Sequence, residues 1–511
     1  MLKRIMTTAR RPESGRRVGP VVAVLALAVL LRAAPHGFAQ DRLPAAKLKS
    51  IVTANRIRLS EAGIRIVSVR TGETLFDSFG DKSFVPASNA KLVTTAAALH
   101  LLGREHRFQT RLYAMGAAEG GTLKGDLVVI GGGDPDISGR NHAGDPCFLF
   151  KQWAATLRRL GIREVRGRLI GDASAFDAEY VHPSWPKEQL EKWYCAPVSA
   201  LALNDNCVDV TVRAGPQVGA PARVSMLPST GYVSVDNRCV TTADKAGHLY
   251  GFLGRAGAAR LILRGRFWSG GYAATTSIPV EDPSLFFLNA MKKTLEEQGI
   301  TVIGGLEVAH EAVALGEDAA LVATHESPLA GAVRVANKRS QNLYAELILK
   351  TLGRQAAGRG SFASGAGAVE QFLAKVSPAA SECRIADGSG MSRANRLSAA
   401  SIVDVLRWMA GQPEADVFAA SLPIAGLDGT LARRLTGKAH RGRVRAKTGT
   451  LAGACALSGY IEVPADTLAF SILINSPRAG LQRMRKAQDD LCRQVLDLAG
   501  PRQATGHNGA D

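Results

Sequence analysis

A serine and a lysine one helical turn apart, Ser88 and Lys91, stand at the start of an apolar run from Pro86 to Leu102 that closes at Gly103. The pattern predicts a helix over 86–102, with proline near its start and glycine past its end. The i, i+3 spacing then puts both side chains on one face. A serine hydroxyl becomes a nucleophile when a nearby base takes its proton, and a lysine held in a water-poor cleft loses enough of its charge to be that base. The first helical turn adds free N–H groups and the positive end of the helix dipole where negative charge would develop. Taken alone, the same pair reads as an N-terminal serine beside a solvated lysine.

Two further clusters change that balance. Ser340-Gln341-Asn342 lies between helical patterns at Pro328–Asn337 and Leu343–Leu352, at a tight inter-helix turn where such residues otherwise act as caps. Lys447-Thr448-Gly449-Thr450 lies in a strand-like run from Arg443 to Leu451, and strand patterns follow at Ala454–Val463 and Thr467–Asn475. Gly449 suits a strand bordering a cleft, where substrate backbone must come close. Without the other clusters, Lys447 would read as an edge-strand lysine that discourages sheet-to-sheet pairing.

With these clusters in this order the chain resembles the penicillin-binding and serine β-lactamase superfamily, which carries a serine-lysine motif, a Ser-x-Asn motif and a Lys-Thr-Gly motif. It is most similar to the class C low-molecular-mass penicillin-binding proteins, the D-alanyl-D-alanine carboxypeptidase/endopeptidase family. Gly125-Asp126-Leu127, Gly132-Gly133-Asp134-Pro135, Ala196 to Leu201, Asn204-Asp205-Asn206, Asn337-Lys338, Ala345-Glu346, Asp387 to Gly390, Ser392-Arg393 and Leu427 to Thr430 carry the narrower likeness. About 250 residues separate Ser88 from Ser340, far more than the compact superfamily members place there, so most of that stretch is expected to be inserted.

The resemblance implies an α+β fold: a transpeptidase-like domain with a five-stranded antiparallel sheet and packed helices, interrupted by large β-rich insertions. Strand patterns at Ile64–Val69 and Thr74–Phe79, joined at Thr71-Gly72, would add a hairpin to the three later strands, and Leu481–Leu498 a closing helix. The expected division is a signal segment over 1–39, a catalytic domain over 40–108 and 278–498, inserted β-rich domains over 109–277, and a disordered tail over 499–511. The helical pattern Asp282–Gln298 fits either side of the boundary near 277.

The likeness also implies chemistry. Ser88 would attack the carbonyl of the penultimate D-alanine of a peptidoglycan stem peptide, with Lys91 as base and the N–H groups of Ser88 and Thr450 as oxyanion hole. Ser340 would relay a proton to the departing amine, tuned by Lys447. Asn342 would hold substrate backbone, while Thr448 and Thr450, beside Gly449 and with Lys447, would receive the terminal carboxylate. β-Lactam antibiotics would act as inhibitors. Two alternatives stay open: a serine β-lactamase, or a non-catalytic cell-wall-binding protein on the same scaffold. One major β-lactamase class places its deacylating base in a Glu-x-x-x-Asn loop, and none of Glu346, Glu370, Glu382 and Glu414 has asparagine four residues on. Gly388-Ser389-Gly390 is not a Gly-x-Ser-x-Gly elbow and reads as a loop.

Composition bounds the setting. Six basic residues between Lys3 and Arg17 precede the apolar run Pro20–Leu31 and the small-x-small pattern Gly37-Phe38-Ala39, which reads as an export signal cut after Ala39, with an uncleaved anchor as the alternative. This sets the expected location in the periplasm or extracytoplasmic wall space. Removing 1–39 takes away seven Lys/Arg and one Glu, which lowers the formal charge from +18 to +12. Such a basic chain suits peripheral association with wall polymers or membrane head groups, and no nucleic-acid motif accompanies the charge. Seven cysteines are permitted to pair after export, Cys207 with Cys239 foremost, although one must stay free. No metal-ligand spacing occurs, so neither metal nor cofactor is expected.

Overall fold

The computed structural model describes residues 43–253, 260–464 and 466–500. The expected export signal over 1–39 and most of the expected tail lie outside these residues.

Five antiparallel strands form the central sheet, in the order Thr74–Ser78, Ala62–Ser68, Asp466–Asn475, Ala454–Val463 and Val444–Leu451. The inner strands are buried on both faces, so they read as nearly continuous apolar runs. Period-two alternation sorts their side chains between two cores. Val67, Ala456, Tyr460, Ala469 and Leu473 face a helical layer, whereas Ile64, Ile66, Leu457, Phe470 and Ile472 pack against the helix Leu481–Ala499 and its neighbour Ala45–Ala54.

The Ser88 segment is a short 3₁₀ turn, Ala87–Asn89, continuing into the helix Ala90–Leu102. Ten consecutive residues of that helix, Ala90 to Leu99, are buried, which is why it shows no polar face. Each buried Leu or Val there contributes about 1.5–3 kcal/mol. Helices Leu329–Lys338, Asn342–Ala357, Phe362–Val376 and Ala399–Ala410 complete the layer around it.

Between the Ser88 helix and Leu329 lies a region of small sheets. Arg107–Ala114 leads into it and pairs antiparallel with the strand that leads out, Ala320–Pro328, so that Arg107 faces Pro328. Leu306–Ala309 pairs with Leu169–Asp172, and Thr301–Val302 with Glu164–Val165. The strand pairing thus crosses the boundary expected near residue 277. The helix Pro283–Glu297 buries Phe286, Phe287, Met291 and Leu295 in the core of this region.

The expected pairing of Cys207 with Cys239 is not formed; all seven cysteines are free thiols. The two residues sit in different three-stranded sheets, Cys207 on Cys207–Arg213 and Cys239 on Ser234–Thr242. Strands close in sequence therefore entered separate sheets.

Candidate active site

The fold brings the three sequence clusters to one cleft of about 520 Å³, lined by Ser88, Ser340, Thr430, Arg433, Arg434, Thr448, Thr450, Arg485 and Asp489. Ser88 and Ser340 are half-buried at its floor, while Lys91 and Lys447 lie fully beneath the surface.

Lys91 Nζ lies 3.1 Å from Ser88 Oγ, 2.6 Å from Asn342 Oδ1 and 2.7 Å from the Ser389 carbonyl. The last two groups can only accept. A neutral amine has two N–H bonds to give them and keeps its lone pair for Ser88, so this geometry suits the unprotonated base. Burial drives the Lys91 ammonium down to about 7, against the opposing pull of Glu346 and Asp387.

Lys447 Nζ donates to Ser340 Oγ at 2.7 Å and to the Thr448 carbonyl at 2.9 Å. Its ammonium is pushed well below the ordinary lysine range, by burial first and then by the charge of Lys91. The buried side chain therefore meets Ser340 from beneath the cleft surface. The cations that line the cleft are arginines. Arg434 is held by Asp489 at 2.7 Å, and Arg485 reaches Thr450 Oγ1 at 3.5 Å. Thr448 Oγ1 donates to Thr430 Oγ1 at 2.8 Å.

Sequence reasoning gave Gly449 to substrate approach, but the nearest backbone is the chain's own. A Cβ there would stand 2.8 Å from the Pro86 carbonyl oxygen and 3.1 Å from Ser88 N. The glycine thus lets the Lys447 strand lie directly against the nucleophile turn. Asn89, fully buried between Ser88 and Lys91, ties the same elements together: its amide donates to the Lys447 carbonyl at 3.0 Å and accepts from Ser458 Oγ at 2.6 Å.

A second group of residues supports Lys91 from behind. Glu346, at 0 % exposure, accepts from the N–H groups of Gly388 and Ser389, both at 2.8 Å. Asp387 accepts from Gly390 N at 2.8 Å, Trp185 Nε1 at 2.8 Å and Asn395 Nδ2 at 2.7 Å. These bonds fix the loop whose Ser389 carbonyl meets Lys91. Burial, followed by repulsion from Asp387, raises the Glu346 carboxyl to about 8. Glu346 is thus committed to loop N–H groups, and Glu370 accepts from Ile385 N at 2.8 Å; neither is free to activate a water. Ser389 is itself fully buried and its Oγ accepts from Met391 N, which leaves it a loop residue.

Sequence reasoning assigned no role to Asn89, Glu346, Asp387, Tyr194 or Arg485. An acid within the otherwise apolar run Leu343–Leu349 was the signal available for Glu346. Among the described residues no His, Cys, Asp or Glu group is arranged to hold a metal ion.

Comparison with known proteins gives the family and the fold. The family described as D-Ala-D-Ala carboxypeptidase 3 (S13) matches residues 44–495. A D-alanyl-D-alanine carboxypeptidase of Actinomadura sp. (strain R39) is 33% identical over 457 residues, 87% of this chain and 83% of its own length. The D-alanyl-D-alanine carboxypeptidase DacB of Haemophilus influenzae is 25% identical, covering 82% of this chain and 86% of the relative. The crystal structure of penicillin binding protein 4 (dacB) from H. influenzae superposes with a TM-score of 0.74 at 24% identity, over 88% of this chain and 99% of that one, and shows the fold. That protein has also been solved in complex with a β-lactam.

Proposed function

From the premise that the chain belongs to the D-Ala-D-Ala carboxypeptidase 3 (S13) family, we propose how it works as a serine D-alanyl-D-alanine carboxypeptidase: through an acyl-enzyme on Ser88. The observation that carries this reading is the set of contacts on Lys91 Nζ, which leaves its lone pair for Ser88 Oγ.

Ser88 Oγ bonds to the carbonyl carbon of the penultimate D-alanine as its proton passes to Lys91 Nζ. The N–H groups of Ser88 and Thr450 receive the oxyanion. Collapse breaks the C–N bond. Ser340 Oγ gives its proton to the leaving nitrogen and takes one from Lys447 Nζ, which its buried setting makes ready to release. In deacylation, hydroxide from water adds to the acyl carbon, the proton of that water returns through Ser340 to Lys447, and Lys91 restores the Ser88 hydroxyl. Asn342 holds substrate backbone. Thr448, Thr450 and Arg485 receive the terminal carboxylate, with Gly449 keeping the strand close.

The setting belongs to the same proposal: export to the periplasm or wall space on the signal over 1–39, peptidoglycan stem peptides as substrate, β-lactams as inhibitors, and wall or head-group attraction through the basic surface. Residues up to 106 and from 329 onward would form the catalytic body, with 107–328 inserted. No described helix is long and apolar enough to cross a membrane. Incubation with a pentapeptide ending in D-Ala-D-Ala tests the reading. Release of one D-alanine by the protein, lost in Ser88→Ala, is expected, and equal release by the variant overturns it.

A further inference from the structure

The inserted region touches the middle motif at two points. Asn342 Nδ2 donates to the Tyr194 carbonyl at 2.8 Å, and Gln341 Nε2 donates to Asp205 Oδ2 at 2.8 Å. The other end of the Gln341 amide accepts from Asn342 N at 2.9 Å, so this side chain joins the turn to the insertion. Gln341 is only 5 % exposed, which leaves its amide dependent on these partners.

The contact is built on strained backbone at both ends. Ser340 has φ +57, and Asn204, Asp205 and Asn206 have φ +49, +56 and +53 in succession. Three left-handed residues in a row persist only where their surroundings impose them, and Asn and Asp are the side chains that tolerate this best. Asn206 supplies that restraint: it is fully buried, donates to the Pro197 carbonyl at 2.8 Å and accepts from Leu203 N at 3.0 Å. Asp205 is further paired with Arg140, whose guanidinium lies 5.7 Å from the centre of the Tyr344 ring on the helix that begins at Asn342. The Asp205 carboxylate is therefore presented to Gln341 by a rigid loop and held there by a cation.

We propose that Asp205 is a positioning residue: through Gln341 it fixes the strained turn that aims Ser340 Oγ at the leaving nitrogen. Asp205 then acts on catalysis from the inserted region through Gln341. This inference rests on the reading of Ser340 as the proton relay.

The chemistry of the leaving group gives a test. An amine departs only once protonated, whereas the alkoxide of a 2-hydroxy acid depends on that proton much less. Hydrolysis of an acyl-D-Ala-D-Ala peptide and its acyl-D-Ala-D-lactate ester is compared in the native protein, Asp205→Ala, Gln341→Met and the double variant. Each single change is expected to lower kcat on the amide about tenfold and on the ester by less than about threefold, and the double variant should lose no more than either single. Equal losses on both substrates, additive losses, or no loss would overturn the proposal. Should Asp205→Ala fail to fold, Gln341→Met carries the same comparison, since its side chain is nearly isosteric. Ser340→Ala reports on the premise separately: an amide-to-ester ratio unchanged from the native protein would overturn the relay reading, and the positioning role with it.

Discussion

The carbonyl oxygen of Ala87 rests against Gly390 so closely that a Cβ at position 390 would stand 1.8 Å from it. Both residues are left-handed, Ala87 at φ +46 and Gly390 at φ +80. The residue before the nucleophile is thus held in a strained conformation by the loop that also supplies the Ser389 carbonyl to Lys91.

Gly390→Ala is accordingly expected to displace the nucleophile turn. The added methyl meets a φ that alanine disfavours, at a cost of about 1–3 kcal/mol, and also backbone 1.8 Å away that must shift to admit it. Thermal unfolding should show a loss at least that large, while the acylation rate by a β-lactam falls at least about tenfold in the fraction that stays folded. Native-rate acylation by the variant would mean the contact does not position Ser88.

The pH dependence of acylation follows from Lys91. With its ammonium lowered to about 7, the free amine is the minor form below that pH and the major form above it. The acylation rate at subsaturating substrate should rise about tenfold per pH unit on the acid side and level off above about 7. A rate that is flat through this range, or falls as pH rises, would remove Lys91 as the general base.

Arg485 should govern recognition of the substrate terminus, because the Lys447 ammonium is turned under the cleft toward Ser340 while Arg485 reaches Thr450. Arg485→Ala is expected to raise KM about tenfold for a peptide with a free terminal carboxylate, and to raise it much less for the same peptide amidated at that end. Equal effects on the two peptides would place the carboxylate elsewhere.

The apolar run after Ser88 and the strand patterns around Lys447 made the sheet and its main helix legible in the sequence, since period and turn chemistry are local signals. What the pattern does not carry is direction and distance. Lys447 is expected from the sequence both to tune Ser340 and, with Thr448 and Thr450, to receive the substrate carboxylate; its Nζ donates to Ser340 Oγ, the first of these two contacts. Gly449 is expected where substrate backbone comes close; the structure adds that the nucleophile turn lies directly against it, which no local pattern announces. The Cys207–Cys239 pairing failed because neighbouring strands in sequence entered separate sheets. The pairing of Arg107–Ala114 with Ala320–Pro328 joins strands remote in the chain and leaves no local trace, so it was not visible. Nor was the partnership of Glu346 with Gly388 and Ser389, although the acid itself stands out in the apolar run Leu343–Leu349.

The most direct measurement is intact mass of the protein lacking residues 1–39 after brief exposure to benzylpenicillin, followed in time beside Ser88→Ala. A single long-lived adduct, absent from the variant, is the predicted result for a DD-peptidase that acylates at Ser88. An adduct of equal yield on Ser88→Ala, or no adduct on the native protein, would contradict it.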